Sequence, residues 1–181
     1  MEAGVISKYA VLTRDSKLRL HQSIETKLEF DIDGSNCEEF FFNAGQLIKI
    51  FQLNKPSERG QNNADNDFKK FVYTVQVLDL VNNVPIFENL YECPQENLHR
   101  VDDMLWPYII SIVDPEQRLN MLKDENNCKF LVNLKKNDIV TVSGAMNYEP
   151  EKSYDCIIRY IGPVLEIHPV GYFFGLELLV C

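Results

Sequence analysis

DCIIRYIGPVLEIHPVGYFFGLELL, Asp155 to Leu179, carries the highest density of bulky apolar residues in the chain. It reads as a strand over Cys156–Ile161, a turn at Gly162-Pro163, a short extended link, Gly171 and a second strand over Tyr172–Leu179. Short strands with glycine-marked bends are what a small β-barrel needs at its corners. In the second strand Tyr172 and Phe174 share one face and Phe173 takes the other. A small barrel buries one face, so the aromatic run has two readings, a peptide-stacking platform or plain core packing. Arg159, between Ile158 and Tyr160, is open in the same way. It is a contact for an acidic partner or a satisfied surface charge.

Upstream, Lys135-Lys136-Asn137-Asp138 is a turn, Ile139, Val140 and Val142 make a strand, and Gly144–Ser153 is a polar connection. Before that the apolar spacing is helical from Leu98 to Asp124, through Val101, Leu105, Tyr108, Ile109 and Ile112. Asp102 and Asp103 fall in the first turn of that helix. Adjacent acids point to different faces, so they suit the helix dipole better than a metal pair. Pro107 marks a kink or an early break. Asp114-Pro115-Glu116 restarts the helix, with an N-cap acid, proline at the first position and acid behind it. Leu119, Met121 and Leu122 follow on the second helix, and Asn126–Lys136 leads into the last domain.

The first half reads as β-rich. Residues 8–13 form a strand, and 24–32 alternate Ile24, Thr26, Leu28, Phe30 and Ile32 against charged residues. Asp33-Gly34-Ser35-Asn36 turns the chain. Over 38–53, Phe40–Phe42 suit a strand, whereas Ala44, Leu47, Ile48 and Phe51 suit a helical stripe. Gly45 costs a helix about 1 kcal/mol against alanine, so strands through Phe42 and around Ile48–Leu53 are expected. Residues 54–67 are a long polar stretch, read as a mobile surface loop. Phe71–Leu78 is apolar on both faces and reads as a central strand. Asn82-Asn83 is a turn, Val84–Leu90 the returning hairpin strand, and Glu92–Asn97 a loop.

Ile157–Pro163 (IIRYIGP) and Gly171–Leu178 (GYFFGLEL) together resemble the CAP-Gly domain, whose pattern is a VRYxG strand followed by GxWxGVEL. Gly162, Gly171 and Gly175 match family glycines, where a corner needs positive φ or close backbone approach. Phe173 stands where that family has its tryptophan. GYFFGLELL is similar to the first such module of the cylindromatosis deubiquitinase (CYLD-like) family, and the segment Val101–Leu122 is similar to the region before it. The resemblance is specific over Asn137–Leu179 and weak before Asp79.

The resemblance implies an SH3-like barrel that binds acidic-aromatic protein tails or Pro-rich segments, through Arg159, Gly162, Gly171, Tyr172, Phe173, Phe174 and Gly175. Tubulin and signalling scaffold proteins are the partners it suggests. The sequence ends at Leu179-Val180-Cys181, before the family's GKNDG loop, so the resemblance also implies a fragment. The parent family is a cysteine-type deubiquitinase with a papain-like catalytic part. A cytoskeletal, microtubule-associated CAP-Gly protein unrelated to ubiquitin is the alternative.

The residues themselves offer no catalytic box. Such chemistry needs a thiol, a histidine base and an orienting group. Cys37 is followed by two acids, which raise a thiol pKa. Cys156 sits in an apolar strand as a small hydrophobe. His168 lies in a link and reads as a surface residue. The cysteines, odd in number and without a CxxC pair, read as free thiols in a reducing compartment. No close-spaced ligand set for zinc is present, so no cofactor is expected.

The 181 residues, 45% hydrophobic and 11% aromatic, suffice for one sizeable core or two small ones. The formal net charge of -9 disfavours nucleic acid, which selects clustered basic faces. The N-terminus has no charged leader, and no window holds the about 18 apolar residues a membrane span needs. A cytoplasmic protein is expected, with no membrane partner. The expected fold class is α+β, mostly β. It comprises a β-rich module over 1–90, a two-helix segment over 91–125, and a partial CAP-Gly-like barrel over 126–181.

Overall fold

The computed structural model describes residues 8–20, 39–54, 71–78, 89–143 and 152–179. The class is α+β and mostly β. The backbone divides into two compact units, Met1–Asp103 with Asp114–Asn120, and Met104–Val113 with Met121–Cys181.

In the first unit β1 (Tyr9–Leu12), β2 (Ser16–Leu20), β3 (Glu39–Phe42), β4 (Leu47–Asn54), β5 (Val72–Leu78), β6 (Tyr91–Pro94) and β7 (Leu98–Val101) form one sheet. Its order is β3-β2-β6-β5-β4-β1-β7, antiparallel throughout. β5 occupies the middle, as its two apolar faces require, with Tyr73, Val75 and Val77 buried. The strands expected at 8–13, through Phe42 and around Ile48–Leu53 are β1, β3 and β4. Phe40 and Phe42 meet the Tyr91 ring edge-on, at 5.5 and 5.0 Å between centroids, within the core. Such pairs add about 0.5–1.5 kcal/mol to the burial itself.

Ala44-Gly45 forms the turn between β3 and β4, and Gly45 has φ +85°. Its carbonyl accepts a 2.7 Å bond from Arg118, whose residue is 1% exposed. Burial pushes the guanidinium down to about 10, with Asp114 opposing.

Several expectations fail here. The segment 92–97 is not a loop but the end of β6 and a 3-10 turn, Gln95–Asn97. Leu98–Val101 is not helical; it pairs with β1, Val101 opposite Tyr9. Four residues at mixed spacing fit either period, and an available strand partner decides the outcome. β5 pairs with β6 through Val72–Val75; of the returning strand expected at Val84–Leu90 only Asn89 and Leu90 are described, neither in a strand, and residues 79–88, with the turn expected at Asn82-Asn83, lie outside the described residues. The strand expected at 24–32, its turn at 33–36 and the loop beyond Asn54 also lie outside the described residues.

In the second unit α1 (Trp106–Ser111) precedes a three-stranded antiparallel sheet of order β10-β9-β8. Its strands are β8 (Ile139–Ser143), β9 (Ser153–Val164) and β10 (His168–Leu178). No closed barrel is formed among the described residues. Pro107 neither kinks nor breaks α1; it sits in the first turn, where a missing N–H costs nothing. Asp102 and Asp103 precede that turn instead of lying in it.

Helix α2 (Pro115–Lys123) begins as read from Asp114-Pro115-Glu116, with the Asp114 carboxylate accepting from the Glu116 amide at 2.9 Å. Its residues 115–120 belong to the first unit and 121–123 to the second. A third helix, α3 (Glu125–Asn133), occupies most of the expected lead-in over 126–136. The Asp124 carboxylate caps it by accepting from the Asn127 amide at 3.0 Å. Cys128, Leu131 and Val132 supply its half-buried stripe at helical spacing. Among the described residues no helix is long and apolar enough to cross a membrane.

Candidate peptide-binding face

Gly162-Pro163 is not a turn. β9 runs through both residues to Val164, with Gly162 opposite Phe173 and Pro163 opposite Tyr172. The reversal comes at residues 165–167, where the Ile167 amide donates to the Val164 carbonyl at 2.9 Å. A Gly-Pro pair is a turn signal in isolation, but a two-stranded edge tolerates both residues when ladder bonds are available on the other side.

Paired residues on neighbouring strands share a face. One face therefore carries Tyr172 and Phe174 with Pro163 and Ile161, and the other Phe173 with Gly162 and Tyr160 with Gly175. The Tyr108 ring of α1 meets Tyr172 edge-on at 5.4 Å and stacks on Phe174 at 5.8 Å. These two aromatics thus pack on a helix. Burial pushes the Tyr108 phenol up, with Tyr172 adding to it.

The opposite face is built around Tyr160, which the motif comparison left unassigned. The ring lies over Gly162, where a Cβ would sit 2.7 Å from the hydroxyl oxygen, and the base of the side chain lies over Gly175, where a Cβ would sit 2.9 Å from Tyr160 Cβ. The hydroxyl donates to the Pro163 carbonyl at 2.6 Å. Tyr160 is 45% exposed and Phe173 half-buried beside it. The glycines serve close approach here; the positive-φ glycine among the described residues is Gly45. A tyrosine facing glycine across a ladder covers the gap the glycine leaves, but the register that sets Tyr160 opposite Gly175 comes from the folded pairing.

Arg159 is a paired surface charge. Its Nε donates to the Glu177 carboxylate and Nη1 donates to Asn137 Oδ1 at 3.1 Å. Hydrogen bonding to Glu177 raises the arginine, and the same bond holds the Glu177 carboxyl below its usual range. Asn137 itself adopts φ +77°, a conformation asparagine tolerates better than most residues.

His168 is not a surface residue. It opens β10, is 7% exposed, and accepts at Nδ1 from the Gly171 amide at 2.7 Å and the Val170 amide at 3.3 Å. Gly171 fits against it because a Cβ there would lie 2.9 Å from Nδ1 and 3.0 Å from Ser111 Cβ. The sequence offered few clues to this, because one histidine among Ile, Pro and Val reads as a link.

The three described thiols are in poor condition for nucleophilic chemistry. Burial pushes Cys93 up to about 12, with Glu96 adding. Burial and then Asp124 raise Cys128. Cys156 is fully buried. Cys37 and Cys181 lie outside the described residues. Among the described residues no three His, Cys, Asp or Glu side chains gather as a metal site. No protein-family model matches the chain, and no curated protein or solved structure matches it.

Proposed function

We propose that the second unit is a CAP-Gly-like module of a CYLD-like protein, binding protein tails or segments without catalysis. The reading takes the β8–β9–β10 sheet as one wall of an SH3-like barrel. The observation that carries it is Tyr160, exposed, with its ring tied at the hydroxyl over Gly162 and its Cβ against Gly175, on the face that also carries Phe173. A ring already held in place loses little freedom when a peptide stacks on it. Phe173, Tyr160 and the two glycines are the binding face in this reading. Tyr172 and Phe174 anchor the hairpin to α1, and Arg159 keeps Glu177 as its partner. The peptides are acidic-aromatic C-termini, such as those of tubulin, or Pro-rich segments of signalling scaffolds, and the setting is cytoplasmic. The net charge of -9 argues against nucleic acid.

Fluorescence anisotropy with an acidic-aromatic peptide and a Pro-rich peptide tests this. Tyr160→Ala and Phe173→Ala are expected to weaken whichever peptide binds by at least about tenfold, as hot-spot aromatics do. Unchanged affinity in variants with a native circular dichroism spectrum sinks the reading. Preference for tubulin-like tails over Pro-rich segments selects the cytoskeletal alternative. The non-catalytic part is tested by incubating the chain with ubiquitin chains; turnover that a cysteine substitution abolishes overturns it.

A further inference from the structure

The bulge at the head of the β9–β10 hairpin is bridged by one imidazole. Between His168, opposite Val164, and Tyr172, opposite Pro163, the register slips, so that Pro169, Val170 and Gly171 form a bulge. A bulge interrupts the ladder and leaves its amides to find other acceptors. Pro169 has no N–H to satisfy. The two that remain, on Val170 and Gly171, both donate to His168 Nδ1. Nδ1 is therefore the bare nitrogen and Nε2 carries the proton. Nε2 is buried and has no hydrogen-bond partner among the described residues. Three apolar residues in the bulge and the turn before it are exposed: Leu165 at 73%, Ile167 at 68% and, within the bulge, Val170 at 51%.

We propose that His168 is a proton-operated latch on this hairpin: neutral, it holds the bulge closed, and protonated at Nδ1, it releases the bulge and the apolar tip. A proton taken from solvent by Nδ1 turns the shared acceptor into a donor facing two amide donors, so both bonds are lost together. Among the described residues no carboxylate pairs with the imidazole. The titratable groups on α1, the turn and the hairpin are the phenols of Tyr108, Tyr154, Tyr160 and Tyr172, the exposed Glu166, the buried Cys156, Arg159 and Glu177, which pair with each other, and Asp155, which accepts from Thr141. Burial alone accounts for the lowered pKa of His168. With the folded value below the unfolded one of about 6.5, the unfolded chain binds more protons in the interval between them. The latch is fully effective above about pH 6.5 and is lost as pH falls through the folded value.

Amide-exchange protection of Val170 and Gly171, measured by NMR on the full chain from pH 7.5 to 4.5, reads the latch directly. Protection, corrected for intrinsic exchange, is expected to fall at least tenfold in step with the His168 ring signals. His168→Asn puts a side-chain oxygen where Nδ1 stood and cannot take the proton. It is expected to keep both amides protected across the range. His168→Leu removes the acceptor and is expected to leave both amides unprotected at every pH. Constant protection in the wild type down to pH 4.5 overturns the proposal. So does a pH profile in His168→Asn that matches the wild type, or full protection in His168→Leu. If a variant does not fold, coincidence or non-coincidence of ring titration and amide exchange in the wild type decides the matter.

Discussion

Gly45 and Arg118 form the tightest local arrangement in the first unit. Gly45 needs its missing side chain twice, for φ +85° and because a Cβ would lie 2.4 Å from the Pro115 carbonyl oxygen. Backbone cannot retreat as the end of a side chain can. Gly45→Ala is expected to destabilise the chain by about 2 kcal/mol or more, combining left-handed strain with the clash. Urea unfolding measures it, and a change under 0.5 kcal/mol contradicts the argument. Arg118 is the larger partner of that glycine. Arg118→Leu keeps most of the volume but leaves the Gly45 carbonyl without its charged donor. A loss of about 1.5–3 kcal/mol follows from hydrogen bonds to charged groups, and a melting temperature equal to the wild type contradicts it. Gly45 was read correctly as hostile to a helix. The burial of Arg118 was not legible, since arginine is almost never fully buried and its acceptor lies 73 residues away.

At the scale of elements, helix α2 and the β9–β10 hairpin show opposite degrees of legibility. The α2 start is local: acid, proline, acid, and a cap bond spanning two residues. Asp114→Ala is expected to cost about 1 kcal/mol, read by chemical denaturation. A neutral result means that the helix is held by packing alone. The hairpin depends on register. Its two glycines near Tyr160 differ in what a methyl would strike. At Gly162 it meets the hydroxyl end of the ring, which can swing away; at Gly175 it meets Tyr160 Cβ, which is fixed to the strand. Gly175→Ala is therefore expected to destabilise more than Gly162→Ala, by about 1 kcal/mol. Equal melting temperatures would contradict this difference between the hydroxyl end of Tyr160 and its Cβ.

For the whole molecule, burial orders the thiols. Cys93 and Cys156 are fully buried, whereas Cys128 is partly exposed. Site-resolved alkylation at neutral pH is expected to modify Cys128 before Cys93 and Cys156. Each buried thiol should react on the order of 100-fold more slowly than in denaturant, because its reaction waits on opening of the fold. Alkylation of Cys93 as fast as Cys128 contradicts that order.

By itself the sequence determined what nearest neighbours decide. It marked the alternation of β5, the capped start of α2, the opposed faces of Tyr172 and Phe173, and the unsuitability of Gly45 for a helix. A third helix is written there too, in the spacing of Cys128, Leu131 and Val132 behind the Asp124 cap. Tertiary structure alone decided that Val101 joins a strand, that Gly162 and Pro163 stay in the ladder, and that His168 is buried under its own bulge. Each of these depends on a partner brought close by folding: Tyr9 for Val101, Tyr172 and Phe173 for the glycine and proline, and a slipped register for the histidine. A residue's spacing records its own preferences, whereas pairing energy belongs to two segments at once and cannot be read from either alone.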